Sequence, residues 1–197
     1  LTVQEGTAPN TFYELMLNNE TIPDARIRRA IELALDKELL SEQATGGYGT
    51  VTGTSVLPTC ASYAGDYDGT AYTLACASNR AGLAALMQQE LAEAGITITI
   101  ETVDSATMFS GMADGTYDMG IASHTPSALP LWFVESRFTE NNNIFHVQDL
   151  SEVSALIQAV KEETDPDART QAVKALEDWM AQERPFIPLW FGTGLHV

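Results

Sequence analysis

The sequence predicts an α/β domain. Three observations carry that prediction: a β-α-β unit over residues 72–101, amphipathic helices on both sides of it, and an apolar strand near each end of the chain. A chain of 197 residues forms one domain, or at most two small ones. Lys plus Arg number 10 and Asp plus Glu 27, so the formal charge is 10 − 27 = −17. A surface this acidic repels phosphate backbones and anionic lipid headgroups, which argues against nucleic-acid or membrane-surface partners. Its ordinary meaning is solubility. No apolar run approaches the ~20 residues that cross a bilayer.

Thr11 to Asn19 reads as a strand that stops before Ile22-Pro23. Asp24 is placed to cap a helix whose buried stripe is Ile27, Ala30, Ile31, Ala34, Leu35 and Leu39, ending where Gly46-Gly47 cannot sustain it. Residues 45–70 read as a long loop. In the β-α-β unit, Tyr72–Ala77 is the first strand and Ser78 or Asn79 the helix cap. Leu83, Leu86, Met87, Leu91 and Ala94 form the helix stripe, and Ile96, Ile98 and Ile100 alternate in the second strand. The spacing predicts parallel strands with a right-handed crossover. A short helix from Ser105 to Ala113 and a strand from Tyr117 to Ser123 follow. Leu131–Phe138 reads as a short helix, and Val153, Leu156, Ile157 and Val160 mark the next one. Asp165-Pro166 opens the last helix, striped by Ala172, Val173, Leu176, Trp179 and Met180. The closing Pro185–Phe191 run is a proline-broken strand, expected at a sheet edge or a domain crossing.

Motifs for chemistry are missing. The chain has no Gly-x4-Gly-Lys-Ser/Thr loop, and Gly46-Gly47-Tyr48-Gly49 follows a helix instead of a strand. His124, His146 and His196 lack zinc-ligand spacing. Without a Gly-x-Ser-x-Gly elbow, Ser123–His124 does not read as a nucleophile–base pair. The reading is therefore a non-enzyme without cofactor or metal. Cys60 and Cys76 permit one disulfide in an oxidising compartment, with two buried free thiols as the equal alternative. Leu1 is not Met and no signal peptide is present, so the chain is expected to be processed or cut from something longer. Trp132 follows the loop at the carboxyl end of the 117–123 strand, where open α/β sheets bind ligands. Core packing competes for that tryptophan.

Several segments in order resemble the peptide/nickel class of ABC-transporter solute-binding proteins, bacterial extracellular family 5. They are Phe12–Asn19 with Ile22–Ile31, Ala34–Leu40, Gly47-Tyr48-Gly49 with Thr54–Pro58, Gln88–Leu91, Gly95–Ile98, Glu101–Asp104, Gly115–Met119 and Arg184–Leu189. The resemblance covers one lobe. It implies the second, carboxyl-terminal lobe of a type II periplasmic-binding-protein fold, a mixed sheet flanked by helices. Residues 1–197 would be a single domain and a fragment of a two-lobed protein, with Leu1–Val3 and Phe186–Phe191 at the severed hinge. It further implies an extracytoplasmic bacterial protein, periplasmic or lipid-anchored. Such a protein captures a peptide or similar small solute between lobe I and this lobe, and delivers it to the permease subunits.

Two departures stand out. Oligopeptide binders of the class often carry a Trp and an Asp in the loop after the 117–123 strand, and the Asp anchors the peptide amino terminus. Here Ala122–Pro130 contains no acid. Residues 58–72 are also short for the class and carry the cysteine pair instead. The ligand-facing residues expected from loop position are Ser123, His124, Thr125 and Trp132, with Tyr48 and Thr54 behind them. A nickel or metal-chelate ligand, favoured by His124, is the alternative within the class. A hydrolase, or an interaction or sensor module with an apolar docking patch, is the alternative outside it.

Overall fold

The computed structural model describes residues 4–51, 69–125 and 130–196, without the side chains of 4–10, 130, 132, 133 and 193–196. The strands are β1 (Gln4–Leu17), β2 (Gly49–Val51), β3 (Tyr72–Cys76), β4 (Ile98–Thr102), β5 (Met119–His124) and β6 (Phe186–His196). The helices are α1 (Ala25–Ala34), α2 (Lys37–Thr45), α3 (Ala81–Glu93), α4 (Ser105–Ala113), α5 (Pro130–Glu135), α6 (Ser151–Glu162) and α7 (Pro166–Glu183). The six strands make one sheet in the order β2-β6-β1-β5-β3-β4. Strand β3 runs parallel to β4 and β5, whereas β1 is antiparallel to β5 and β6, so the sheet is mixed.

Alternation along each strand builds two cores. Leu15, Leu17, Leu74, Cys76, Met119 and Ile121 point to one face, where α1, α2 and α3 cover them. Met16, Ala75 and Ala122 point to the other, under α4, α5, α6 and α7. The result is the helix-sheet-helix sandwich that the β-α-β reading implied.

Where the fold differs from the sequence reading, the causes are local. The helix expected to run from Asp24 to Gly46 is two helices. The Asp36 side chain accepts from the Leu39 amide at 3.0 Å and caps α2, so the stripe breaks after Leu35 and Leu39 is 44% exposed. Neither Ser78 nor Asn79 caps α3: Ser78–Arg80 is a 3-10 turn and the helix begins at Ala81 without a side-chain cap. Val173, assigned to the α7 stripe, is 37% exposed, while Leu176 and Trp179 are buried. Strand β6 is not an edge strand along its whole length, since β2 pairs with Trp190–Gly192. Pro188 lies before that stretch, where its missing N–H breaks no ladder bond to β2. Leu1–Val3 lie outside the described residues.

Two buried polar residues from the quoted segments hold the frame together. The Asn19 amide donates to the carbonyls of Phe145 (2.8 Å) and Pro185 (3.1 Å). The Arg28 guanidinium donates to those of Ile22 (2.7 Å) and Glu183 (2.8 Å), pinning α1 to the end of α7. Burial lowers the Arg28 pKa, and the Glu183 carboxylate works against that.

Candidate functional site

Strands β3 and β5 run parallel to neighbouring carboxyl ends, β3 stopping at Cys76 and β5 continuing to His124, three residues past the level of Cys76. At the carboxyl ends of parallel strands the chain must turn, leaving side chains unpacked at the rim. Pairing fixes what else lies there: Phe12 opposes His124 and Tyr13 opposes Ser123 on β1, while Phe191 and Trp190 continue the two rows on β6.

Neighbouring residues on a strand face opposite ways. On the α4/α7 face, Glu14 is fully buried. Its Oε1 accepts from Arg137 Nη1 at 2.6 Å and from His124 Nε2 at 2.9 Å. Arg137 Nη2 lies 3.2 Å from His124 Nδ1 and 3.0 Å from its Nε2, so the guanidinium packs along the imidazole. Glu14 Oε2 is buried without a hydrogen-bond partner. Phe109 of α4 packs on the imidazole at 5.9 Å, and the Arg137 guanidinium lies 5.9 Å from the centre of the Phe145 ring.

On the α1/α3 face, Arg80 reaches across from the turn after β3. Its Nη1 donates to the Ile121 carbonyl (2.6 Å) and its Nη2 to Ser123 Oγ (2.5 Å). The guanidinium lies 5.8 Å from the Tyr13 ring centre, and that ring stacks on Trp190 at 4.9 Å. Burial lowers the Arg80 pKa.

The expected site residues separate into three groups. Ser123, His124 and Thr125 are consecutive at the rim, with Thr125 exposed. Tyr48 is 40% exposed beside β2. It is on the same rim, but β1 and β6 intervene between β2 and β5, so it stands three strand spacings, about 14 Å, away. Trp132 belongs to α5, but its side chain, with Thr54 and Cys60, lies outside the described residues. Cys76 is a free, buried thiol at the end of β3, and Cys60, its expected partner, lies outside the described residues. Burial raises the Cys76 pKa.

Sequence reasoning missed Glu14, Arg137, Arg80 and Phe109. One signal was available: Glu14 is a lone acid between Phe12 and Met16, on a strand face that is otherwise apolar.

Ser123 Oγ is bound to Arg80 and faces away from His124, and Asp118 Oδ2 accepts from the Thr73 amide at 2.7 Å. Neither makes a pair with His124. Among the described residues no three His, Cys, Asp or Glu side chains cluster to hold a metal. No described helix is long and apolar enough to cross a membrane. Among the described residues the large exposed apolar side chains, Leu39 of α2, Tyr48 before β2 and Val173 of α7, come from separate stretches of the chain.

No family model and no curated protein matches the chain. Solved structures do. The periplasmic binding protein DppA of Helicobacter pylori, solved with the peptide STSA, superposes with a TM-score of 0.85 at 17% identity. The match covers 98% of this chain and 44% of that one. The chain has the fold of one lobe of a type II periplasmic binding protein. NikA of Brucella suis, in complex with Fe(III)-EDTA, matches this lobe at TM-score 0.82 and 19% identity, over 98% of this chain and 47% of its own. NikZ of Campylobacter jejuni, with Ni(L-His), gives 0.82 and 16%, with 98% and 47% covered. This lobe thus spans less than half the length of each of these binding proteins.

Proposed function

We propose that this lobe belongs to the substrate-binding component of an ABC importer, which captures a small solute outside the cell and passes it unaltered to permease subunits. The observation that carries the reading is the rim of β3 and β5. There Arg80 and Ser123 on one sheet face, and His124 and Arg137 on the other, flank the carboxyl ends of parallel strands, on a fold that solute-binding proteins use. The solute lies against this rim and is enclosed by a second lobe, on a longer chain, that closes over it. A peptide is the first ligand class to test. A metal chelate is the second, favoured by His124 with its free-standing neighbour Thr125 at the rim.

Half a cleft shields a ligand from water on one side only. Calorimetry on the full-length gene product and on residues 1–197, with tri- and tetrapeptides, Ni(L-His) and Fe(III)-EDTA as probes, tests this. The expected result is micromolar binding of one probe by the full-length protein, recovery of that probe unchanged by mass spectrometry, and binding by the lobe at least about 100-fold weaker. Equal affinity in the two proteins, or a chemically altered probe, overturns the reading.

A further inference from the structure

A hollow of about 240 Å³ lies where α1 begins and α7 ends, lined by Ala25, Arg26, Arg29, Ala181, Gln182 and Arg184. Three of the chain's ten cations thus face one small space on a protein of net charge −17. The rim is at the other end of the sheet. Strand β1 runs from Phe12, opposite His124, to Leu17 before α1, and β6 starts at Phe186, opposite Met16 and just after α7. The five residue steps from Phe12 to Leu17 cover about 17 Å, so the hollow is not part of the rim.

Arg184 sets this hollow apart. Its side chain is 13% exposed, yet it makes no hydrogen bond to a described residue. Its Nε lies 2.5 Å from Glu32 Oε2 but is not aligned to donate, and its terminal nitrogens have no acceptor among the described residues. The carbonyls at the end of α7 do not answer it, because Arg28 takes those of Glu183 (2.8 Å) and Arg184 (3.1 Å). Arg29 donates from Nη1 to Glu32 Oε2 at 2.8 Å and to no other described acceptor. Glu32 also faces Lys37 at 3.0 Å, so one carboxylate stands against three cations. Among the described residues, Arg29 and Arg184 meet no other acid within 4.0 Å. Arg26 is answered by Asp24 at 2.6 Å, so the unmet capacity belongs to Arg29 and Arg184. A nearly buried guanidinium with its hydrogen bonds unmade is costly to keep. The turn does not require it: φ at Arg184 is 48°, a left-handed helix cap that glycine fills at less cost.

We propose that the hollow between α1 and α7 binds a phosphate-type oxyanion, held by Arg184 and Arg29. The site is separate from the solute rim and does not rest on the solute-binding reading. Planar guanidinium groups match phosphate oxygens with paired N–H···O bonds, and two of them converging from different helices supply the charge that Glu32 alone leaves over.

NMR titration of residues 1–197 tests it. The probes are inorganic phosphate, glycerol 3-phosphate and vesicles of phosphatidylglycerol. Sodium chloride of matched ionic strength and phosphatidylcholine vesicles are the controls. The signals are the Nε–Hε groups of Arg29 and Arg184 and the backbone amides of Ala25 and Arg26, with the amides of Ser123 and His124 as the rim reference. Phosphate and its ester are expected to shift the α1–α7 signals to saturation and to leave the rim unmoved. Read on the Ala25 and Arg26 amides, Arg29→Gln and Arg184→Gly should each weaken the response at least about 10-fold. Glycine suits the left-handed φ at 184, so that variant keeps the turn. Saturation by glycerol 3-phosphate with no response to vesicles assigns a free phosphate group. Broadening by phosphatidylglycerol alone, relieved by Arg29→Gln, assigns a lipid headgroup. Shifts that sodium chloride reproduces, that never saturate, or that survive both substitutions overturn the proposal, whether or not the rim binds a solute.

Discussion

Replacing Glu14 with alanine strips the buried counter-charge from Arg137. Both side chains are out of water, Glu14 at 0% and Arg137 at 12% exposure, and the pair is 2.6 Å apart. Removing one member of such a pair strands the other and destabilises by about 3–5 kcal/mol. For a chain of this size each kcal/mol lowers the melting temperature by about 2–4 °C, so the expected drop is roughly 6–20 °C. Thermal unfolding followed by circular dichroism at pH 7 measures it. Arg137→Ala should cost a similar amount, since it leaves the buried Glu14 carboxylate with the His124 hydrogen bond alone among the contacts described. The double variant should cost about 1–3 kcal/mol less than the sum, because the partners are in contact. Additive single effects, or a drop below about 2 °C for Glu14→Ala, would refute the reasoning that this pair carries a coupled buried charge.

Other outcomes follow from local geometry. In Gly111→Ala the new methyl meets the Tyr117 ring, so overpacking should cost about 1–3 kcal/mol, and an unchanged melting point would count against the packing described. Asp165 accepts from the amides of Asp167 (3.1 Å) and Ala168 (2.9 Å), and Asp165→Ala should cost about 1 kcal/mol in urea unfolding. Burial pushes the Glu90 carboxyl up to about 7 from 4.5. The folded state then binds more protons than the unfolded state between those values, so stability falls as pH rises from about 4.5 to 7. Glu90→Gln should flatten that slope and stabilise by about 1 kcal/mol at pH 8, discounted for solvent screening, with no gain at pH 4. A gain equal at both pH values would show that Glu90 does not titrate this way.

The frame was legible wherever a short-range signal sufficed. Helix α4 runs from Ser105 to Ala113 as its pattern requires, capped by Asp104, and the parallel pairing of β3 with β4 follows from the spacing of their apolar residues. The α1–α2 break was written in Asp36, but the apolar stripe reaches past it through Leu35 and hides the cap. The rim was legible only as a place. Ser123, His124 and Thr125 follow from the end of a strand. Glu14 finds His124 and Arg137 at 110 and 123 residues' separation, and Arg80 finds Ser123 at 43, so no local pattern announces these partners. A lone acid on a strand ordinarily faces water; here the antiparallel register of β1 on β5 turns it inward.

A structure of the full-length protein carrying its co-purified solute bears most directly on the account. The account predicts an unmodified solute between two lobes, lying over Ser123–Thr125. A solute bound elsewhere on this lobe, with the ends of β3 and β5 bare, would contradict it.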